Sequence, residues 1–193
     1  PMIYRIAHWL FRLVNWCWIN VSVEGRENIP KSGRAVVCAN HTYWYDPLLI
    51  DTIFPIRRPI HWMAKKEIFS GRFVSWILTK VHVFPVDRHH VSVETLKTTL
   101  GYLRNDEQIG IFPEGTRVKK GQKVKPADGF VVFAQKTRAP ILPVHITGEY
   151  KWRGKVKVTI GEPIWLTEYY GKKMRSEESE AVSKHIMAQI YAL

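Results

Sequence analysis

An imidazole and a carboxylate stand five positions apart in the stretch "NHTYWYDP", residues 40–47. Pro47 follows Asp46, and this order favours a helix that begins here with Asp46 as its N-cap. A turn then separates Asp46 from His41, so that the carboxylate can reach one imidazole nitrogen and leave the other as a general base. Two plainer interpretations remain open at this point: an ordinary N-cap for Asp46 and a half-buried histidine for His41.

The same spacing occurs a second time, in His82 and Asp87 of "HVFPVDR". The residues between this pair are predicted to form a strand, and an odd separation along a strand directs two side chains to opposite faces of the sheet. We therefore expect the second pair not to meet. The spacing alone is a weak indication of a catalytic pair.

A second group of polar residues lies in "FPEGTR", residues 112–117, directly after an apolar run that is predicted to be a strand. Glu114, Thr116 and Arg117 are then expected on a loop at the carboxyl end of this strand, where open α/β sheets bind ligands. The guanidinium of Arg117 is a planar donor suited to phosphate, and Gly115 permits close approach of the backbone. The next loop is predicted to be mainly a solvated basic segment, with Lys119, Lys120, Lys123 and Lys125.

Short β-branched runs alternate with helical patterns from Val21 onward, which predicts an α/β domain with a mixed, largely parallel central sheet flanked by helices. We expect this domain to fill residues 21–193, without an internal linker or repeat. The predicted strands are Val21–Glu24, Arg34–Ala39, Ile60–Ala64, Val81–Val86, Gln108–Phe112, Ile141–Ile146 and Lys155–Ile160. One predicted helix places Val93, Leu96, Leu100 and Leu103 on a single apolar stripe towards the sheet, and the last helix is expected near Ser176–Ala192.

The first twenty residues, "PMIYRIAHWLFRLVNWCWIN", form a separate segment. Its polar residues Arg5, His8, Arg12 and Asn15 fall on one narrow stripe of a helix, and the rest of the surface is apolar and rich in aromatic rings. We expect an amphipathic helix over residues 2–19 that docks in the membrane interface, because the segment is too short and too interrupted by arginine to span a bilayer. Packing against the domain's own core is the alternative.

A second apolar segment, "IFSGRFVSWIL" at residues 68–78, covers more than one face of a helix. It is expected either to be buried on two sides or to help the first helix contact lipid.

Charge and cysteine content narrow the classes of partner. The chain of 193 residues has a formal net charge of +12 and a pI of about 9.8, which favours anionic partners such as phospholipid, phosphorylated substrate or an acidic carrier protein. Signatures of helix-turn-helix, zinc-finger and RNP modules are missing, so nucleic acid is not an expected partner. Cys17 and Cys38 are too few for a disulfide framework or a thiolate zinc site and indicate a reducing, intracellular compartment.

Together, "NHTYWYDP", "FPVDR", "FPEGTR" and "ILPV" resemble the motif blocks of the glycerolipid acyltransferase family, most closely the small bacterial 1-acylglycerol-3-phosphate acyltransferases. The resemblance covers residues 21–165. It implies that His41 is the base that deprotonates the acceptor hydroxyl and that Asp46 orients it. It assigns phosphate binding to Arg88 and a place in the pocket wall to Pro143. The implied acceptor site comprises Glu114, Gly115, Thr116 and Arg117.

Two residues depart from the family pattern. Tyr43 stands where the family often has serine, and His82 stands where it often has glycine. These differences bear on acyl-chain and donor preference more than on the chemistry.

The expected reaction follows from the resemblance: transfer of a fatty acyl group from a thioester of acyl carrier protein or coenzyme A to the sn-2 hydroxyl of 1-acylglycerol-3-phosphate, making phosphatidic acid in phospholipid synthesis. Arg88 and Arg117, together with Lys125, are expected to hold the acceptor phosphate. No metal or cofactor is expected. Backbone N–H groups near the helix at Pro47, or at Gly115, are candidates for the oxyanion site.

The expected location is the cytoplasmic face of the cell membrane, as a peripheral or monotopic protein. Two alternatives remain: a metal-dependent phosphoester hydrolase that uses His41, Asp46, Glu114 and His89 or His90, and a non-enzymatic membrane-binding module.

Overall fold

The computed structural model describes residues 2–86, 93–119, 122 and 124–193. The helices are α1 (Met2–Trp18), α2 (Asp46–Ile53), α3 (Arg72–Lys80), α4 (Val93–Arg104), α5 (Gly129–Thr137) and α6 (Ser176–Ala192), with short 3₁₀ turns at Arg26–Asn28, Lys66–Phe69 and Thr167–Tyr169. The strands are β1 (Ile19–Glu24), β2 (Ala35–Ala39), β3 (Ile60–Lys65), β4 (Val83–Val86), β5 (Gln108–Ile111), β6 (Ile141–Gly148) and β7 (Gly154–Ile160).

The strands form one sheet in the order β1-β7-β6-β2-β5-β3-β4. All neighbouring strands are parallel except β6 and β7, which pair antiparallel. The predicted mixed, largely parallel α/β fold is therefore confirmed. The carboxyl ends of β2 and β5, which are direct neighbours, meet at the same edge of the sheet.

Both faces of the central strands are covered, as near-continuous apolar runs predict for a parallel sheet. In β2, Val37 and Ala39 face a core that includes residues of α2, while Val36 and Cys38 face a second core formed with α4, α5 and α6. This alternation follows from the two-residue period of a strand. The sheet is thus a rigid, doubly covered layer on which the loops at its carboxyl edge are built.

Every predicted strand overlaps an observed one, but the strand expected to begin at Val81 begins at Val83. His82 lies in the preceding turn with a φ of 61°, a left-handed conformation that glycine adopts at lower cost. This φ gives a physical reason why the resembling family often has glycine there. Asp87, the other member of the second His-Asp pair, lies outside the described residues.

The stripe predicted for α4 is correct at Leu100 and Leu103, which are buried, and wrong at Val93, which is exposed. Val93 is the first residue of the helix and lies at its end. Thr95 and Thr99 are buried in its place. The helix therefore faces the sheet through small polar side chains as well as leucines.

The structure places part of the polar stripe predicted for α1 against the domain. His8 and Asn15 are buried against the domain, where the Asn15 amide donates to Thr52 Oγ1 at 2.9 Å and its carbonyl accepts the Tyr45 hydroxyl at 2.7 Å. The opposite face is exposed and apolar, with Met2, Ile6, Trp9, Leu10, Leu13 and Trp16. Packing on the domain, the alternative interpretation, thus accounts for one face and leaves the other uncovered.

Burial on two sides, one expectation for residues 68–78, is wrong, because no residue of α3 is buried. Phe73, Val74 and Trp76 are exposed on α3, and Ile68 is exposed in the turn before it. Among the residues that the structure describes, every helix is too short or too polar to traverse a lipid bilayer.

Candidate active site

His41 lies just beyond the carboxyl end of β2, and its ring is held on two sides. Nδ1 lies 2.9 Å from Asp46 Oδ2, and the ring stacks on Phe112 with the centroids 4.2 Å apart. A carboxylate can only accept, so Nδ1 carries the proton and Nε2 has a free lone pair. Within the described part of the chain, no group hydrogen-bonds to Nε2. The imidazole therefore has the tautomer and the freedom that a general base needs.

Asp46 is fully buried and accepts hydrogen bonds on both oxygens. Oδ2 accepts the backbone N–H groups of Thr42 at 2.6 Å and Tyr43 at 2.7 Å as well as His41 Nδ1. Oδ1 accepts the Tyr150 hydroxyl at 2.6 Å. A buried carboxylate with this many donors has a fixed orientation.

The prediction that Asp46 is an N-cap is wrong. The cap is Tyr45, Asp46 is already helical, and the carboxylate points back to the preceding turn. The backbone explains this shift, because the Asp46 N–H donates to Tyr43 O at 3.1 Å and closes a turn that continues directly into α2. Asp46 therefore holds the turn that carries His41 and does not cap the helix that follows.

The loop after β5 interlocks with the His41 turn. The His41 N–H donates to Glu114 Oε2 at 2.7 Å, and the Val118 N–H donates to His41 O at 2.8 Å. Gly115 has a φ of 64°, a conformation that favours glycine, and donates its N–H to Phe112 O at 2.9 Å. Because the N–H of Gly115 is engaged in this way, it is not an open donor for an oxyanion.

Glu114 is nearly buried, and its second oxygen accepts the Tyr191 hydroxyl from α6. The carboxylate thus joins the His41 backbone to the last helix. Burial, followed by the Glu114 contact, raises the pKa of the Tyr191 hydroxyl, which therefore stays protonated as a donor at neutral pH. Glu114 lines a groove of about 980 Å³ on the α6 side of the loop, not the cavity that contains His41.

His41 opens into a cavity of about 550 Å³ with a largely apolar wall. Phe11 of α1, Met63 of β3 and Leu78 of α3 contribute to this wall, while Thr116 and Arg117 supply polar groups. A cavity with apolar walls and a few convergent polar groups suits an acyl chain that ends in a polar head. The arginine offers the cationic, planar donor that phosphate binds.

The structure brings some of the predicted site residues together and not others. Thr116 and Arg117 line the same cavity as His41. Lys125 does not line it: its ammonium is paired with Glu180 Oε2 at 2.8 Å, and the side chain is largely exposed. Arg88 lies outside the described residues, as do His89 and His90 of the hydrolase alternative. In the remaining chain, no three His, Cys, Asp or Glu side chains form a group that can hold a metal ion.

Three aromatic residues of the site were absent from the sequence prediction: Phe112, Tyr150 and Tyr191. Phe112 could have been found, since it opens the motif "FPEGTR" and its position fixes it beside the strand end. Tyr150 and Tyr191 lie 104 and 77 positions away from their partners Asp46 and Glu114. No local spacing connects residues at such distances, so only the fold reveals these contacts.

Comparison with known proteins places the chain in a family. The acyltransferase family matches residues 20–147, and the chain belongs to this family. Over 175 residues it is 34% identical to a 1-acyl-sn-glycerol-3-phosphate acyltransferase of Bacillus subtilis (strain 168), covering 86% of each chain. A protein of the same name from Streptococcus pneumoniae is 28% identical over 200 residues. The match covers the full length of this chain and 73% of that protein.

The fold agrees with a solved structure as well. The crystal structure of the 1-acyl-sn-glycerophosphate (LPA) acyltransferase from Thermotoga maritima matches with a TM-score of 0.71 at 26% identity, covering 99% of this chain and 78% of that one. The protein is thus an acyltransferase enzyme, and the resemblance noted in the sequence is confirmed.

Proposed function

We propose that the protein transfers a fatty acyl group from a thioester to the sn-2 hydroxyl of 1-acylglycerol-3-phosphate and thereby makes phosphatidic acid for phospholipid synthesis. The observation that carries this proposal is the His41–Asp46 pair, in which a buried, fully hydrogen-bonded carboxylate orients an imidazole that opens into the apolar cavity. The names of the relatives give the acceptor.

His41 acts as the general base. Nε2 takes the proton of the sn-2 hydroxyl while the hydroxyl oxygen attacks the carbonyl carbon of the thioester. The tetrahedral intermediate then expels the thiolate, which takes the proton back from the imidazolium. The products are phosphatidic acid and a free thiol, and no acyl-enzyme forms. A thioester has a good leaving group, so an activated hydroxyl and a stabilised oxyanion are sufficient.

Arg117 binds the phosphate of the acceptor. Its side chain lines the cavity next to Thr116, whose hydroxyl is a further donor. A guanidinium can hold two phosphate oxygens at once and so fix the distance between the acceptor hydroxyl and His41. We retain Arg88 as a second phosphate ligand on the motif alone. The ion pair with Glu180 makes Lys125 the weakest of the predicted ligands.

The exposed face of α1 supports docking to the surface of an anionic membrane. Six large apolar side chains are uncovered on this helix, and Phe73 and Trp76 are uncovered on α3. Both helices also line the cavity, through Phe11 and Leu78. A lipid surface against these helices would bring the acceptor's acyl chain to the cavity without crossing water. We place the enzyme at the cytoplasmic face, peripheral or monotopic.

Docking can be tested by sedimentation with vesicles that contain phosphatidylglycerol. We expect Leu13→Ser combined with Trp16→Ser to lower the bound fraction strongly, because both side chains lie on the exposed apolar face. Trp165→Ser is the control, since Trp165 is also exposed but lies in a different groove, beside Pro163 and Arg138. Equal binding by both variants would contradict docking through α1.

The donor is an acyl thioester of acyl carrier protein or coenzyme A. Both are acidic, and the net charge of +12 favours the approach of either one. The reaction needs no further cofactor.

The decisive experiment follows an isotopically labelled acyl group. Purified protein on anionic vesicles receives labelled acyl coenzyme A or labelled acyl carrier protein, with 1-acylglycerol-3-phosphate or its 2-deoxy analogue, and mass spectrometry identifies the lipid products. We expect labelled phosphatidic acid with at least one donor, with equal release of thiol, and no product from the analogue. Release of phosphate from 1-acylglycerol-3-phosphate that a chelator abolishes, without labelled phosphatidic acid, would favour the metal-dependent hydrolase. Vesicle binding without product from either donor would favour the membrane-binding module.

A further inference from the structure

One oxygen of Asp46 depends on a single residue that lies outside the motif blocks. Thr42 N, Tyr43 N and His41 Nδ1 all donate to Oδ2, whereas the close donor to Oδ1 is the Tyr150 hydroxyl, at 2.6 Å. The Thr42 hydroxyl is 3.4 Å from Oδ1, a long and weak contact. Because Asp46 is fully buried, bulk water cannot replace a lost donor.

The ring of Tyr150 is fixed by other aromatic rings. It stacks on Tyr43 with the centroids 4.8 Å apart, and Trp18 and Tyr45 each lie 6.0 Å away. Tyr43 is the residue that departs from the serine often found in the family, so this chain has a ring that supports Tyr150 at that position. The hydroxyl is consequently aimed at Asp46 by packing as well as by the hydrogen bond.

The backbone also requires this placement. Gly148 ends β6 with a φ of 114°, and a Cβ at this position would lie 2.1 Å from Lys155 O, so only glycine permits the turn that brings Tyr150 over Asp46. The same turn is tied to the end of α1, where the Arg153 N–H donates to Trp18 O at 2.6 Å. Burial, followed by the Asp46 charge, raises the pKa of the Tyr150 hydroxyl, which remains a donor at neutral pH.

We propose that Tyr150 is a positioning residue of the acyl transfer: its hydroxyl fixes the plane of the Asp46 carboxylate, so that Oδ2 faces His41 Nδ1 and Nε2 faces the cavity. This inference rests on the proposed function of His41 as the base. Tyr150 does not line the cavity and acts on the reaction only through Asp46. It also lies beyond residue 147, where the match to the acyltransferase family ends.

The test is Tyr150→Phe, which removes the hydroxyl and keeps the ring that the neighbouring aromatic side chains hold. We expect kcat for lysophosphatidate-dependent thiol release to fall roughly tenfold with KM almost unchanged, because one hydrogen bond to a charged group is lost and no substrate contact is. Tyr102→Phe is the matched control: this half-buried tyrosine stacks on His61, away from His41, and should leave both constants unchanged.

A second readout does not depend on activity. The low-field proton resonance of His41 Nδ1–H, identified by its loss in His41→Ala, reports how strongly Asp46 accepts from the imidazole. In Tyr150→Phe the carboxylate loses a competing donor, so the resonance should move further downfield. Incorporation of 3-fluorotyrosine at position 150, a stronger donor of nearly the same shape, should move it upfield.

The possible outcomes distinguish the role of Tyr150 from the proposed acyl transfer. Unchanged kcat and an unchanged resonance in Tyr150→Phe would overturn the role of Tyr150 while leaving the proposed function intact. A raised KM with unchanged kcat would also overturn it, because that result indicates a substrate contact. If the wild type released no thiol with either donor, the proposed function would fail, and the two resonance shifts would still decide whether the Tyr150 hydroxyl acts on the contact between Asp46 and His41. If Tyr150→Phe failed to fold, the shift with 3-fluorotyrosine would decide.

Discussion

Two histidines at opposite ends of the sheet have similar partners and different surroundings. His41, at the carboxyl end, stacks on Phe112 and contacts Asp46, and His61, near the amino end of β3, stacks on Tyr102 with its Nε2 2.5 Å from Glu107 Oε2. The Glu107 side chain is 41% exposed, whereas that of Asp46 is 0% exposed. The contact of His61 also lacks the alignment of a hydrogen bond.

The difference bears on the proposal that His41 is the general base, a role that needs more than an imidazole and a carboxylate. The carboxylate must be held by several donors, and the far imidazole nitrogen must open into a cavity. His41 meets both conditions, whereas His61 does not line the cavity beside His41 and burial lowers its pKa to about 4. An imidazole that is neutral because it is buried is available for packing but not for proton transfer to a ligand.

Substitution of the two carboxylates, Asp46 and Glu107, should give the largest difference between the two histidine sites. Asp46→Asn keeps the shape but places an amide N–H among donors, so we expect turnover to fall by about 10²–10⁴ and the free energy of unfolding by about 1–3 kcal/mol. Steady-state thiol release and urea unfolding measure the two effects. Glu107→Gln at the other end should change the free energy of unfolding by less than about 1 kcal/mol and leave turnover intact. Equal losses in both variants would remove the distinction.

Substitution of an arginine at each end of the sheet should give the next largest difference. Arg117→Lys replaces a planar fork with a point charge in the cavity, and we expect KM for 1-acylglycerol-3-phosphate to rise by about 10–100-fold. Arg34→Lys, which alters the exposed ion pair with Asp106, should leave KM unchanged. Initial rates over a range of acceptor concentration measure both. A rise in KM for Lys125→Ala as large as that for Arg117→Lys would instead restore Lys125 to the phosphate site.

Glu114 is the carboxylate that connects the two loops at the carboxyl end. Glu114→Gln leaves one of its two protein donors, the His41 N–H or the Tyr191 hydroxyl, without an acceptor, so we expect kcat/KM to fall about tenfold. Stopped assays of thiol release at low acceptor concentration measure this ratio. A change confined to KM would show that Glu114 contacts the acceptor, as the family resemblance implies.

The smallest expected effect is a loss of folding stability at acidic pH, caused by the buried histidines near the amino ends of the strands. Burial lowers the pKa of His61 and of His82 to about 4, below the ordinary value of 6.5, so between these two pH values the unfolded chain binds more protons than the folded one. Stability should therefore be lost as the pH falls from 6.5 towards 4. Urea midpoints at pH 7 and pH 5 measure the loss, which should be smaller in His61→Gln. A midpoint independent of pH would contradict neutral, buried histidines.

The sequence predicted the framework well, because the central strands are short apolar runs bounded by turn signals, a local pattern that does not depend on distant contacts. The α/β class, the sheet and the place of the two motif loops at one edge followed from such runs. The contact of Asp46 with His41 also followed, since a turn spans so few residues.

The remaining features depend on tertiary contacts. The turn that the Asp46 N–H closes with Tyr43 O places Asp46 inside α2, so that Tyr45 is the N-cap. Periodicity could not show that His8 and Asn15 of α1 face the domain. Their partners Asp51, Thr52 and Tyr45 lie in α2 or directly before it. The pairing of Lys125 with Glu180 likewise joins a loop to a distant helix.

The most direct test compares His41→Gln with His61→Gln in thiol release from an acyl thioester on anionic vesicles that contain lysophosphatidic acid. We expect the first variant to fold and to lose turnover by about 10²–10⁴, while the second keeps turnover at nearly the wild-type rate. Turnover that survives the loss of His41, or that falls equally with the loss of His61, would contradict the assignment of the base.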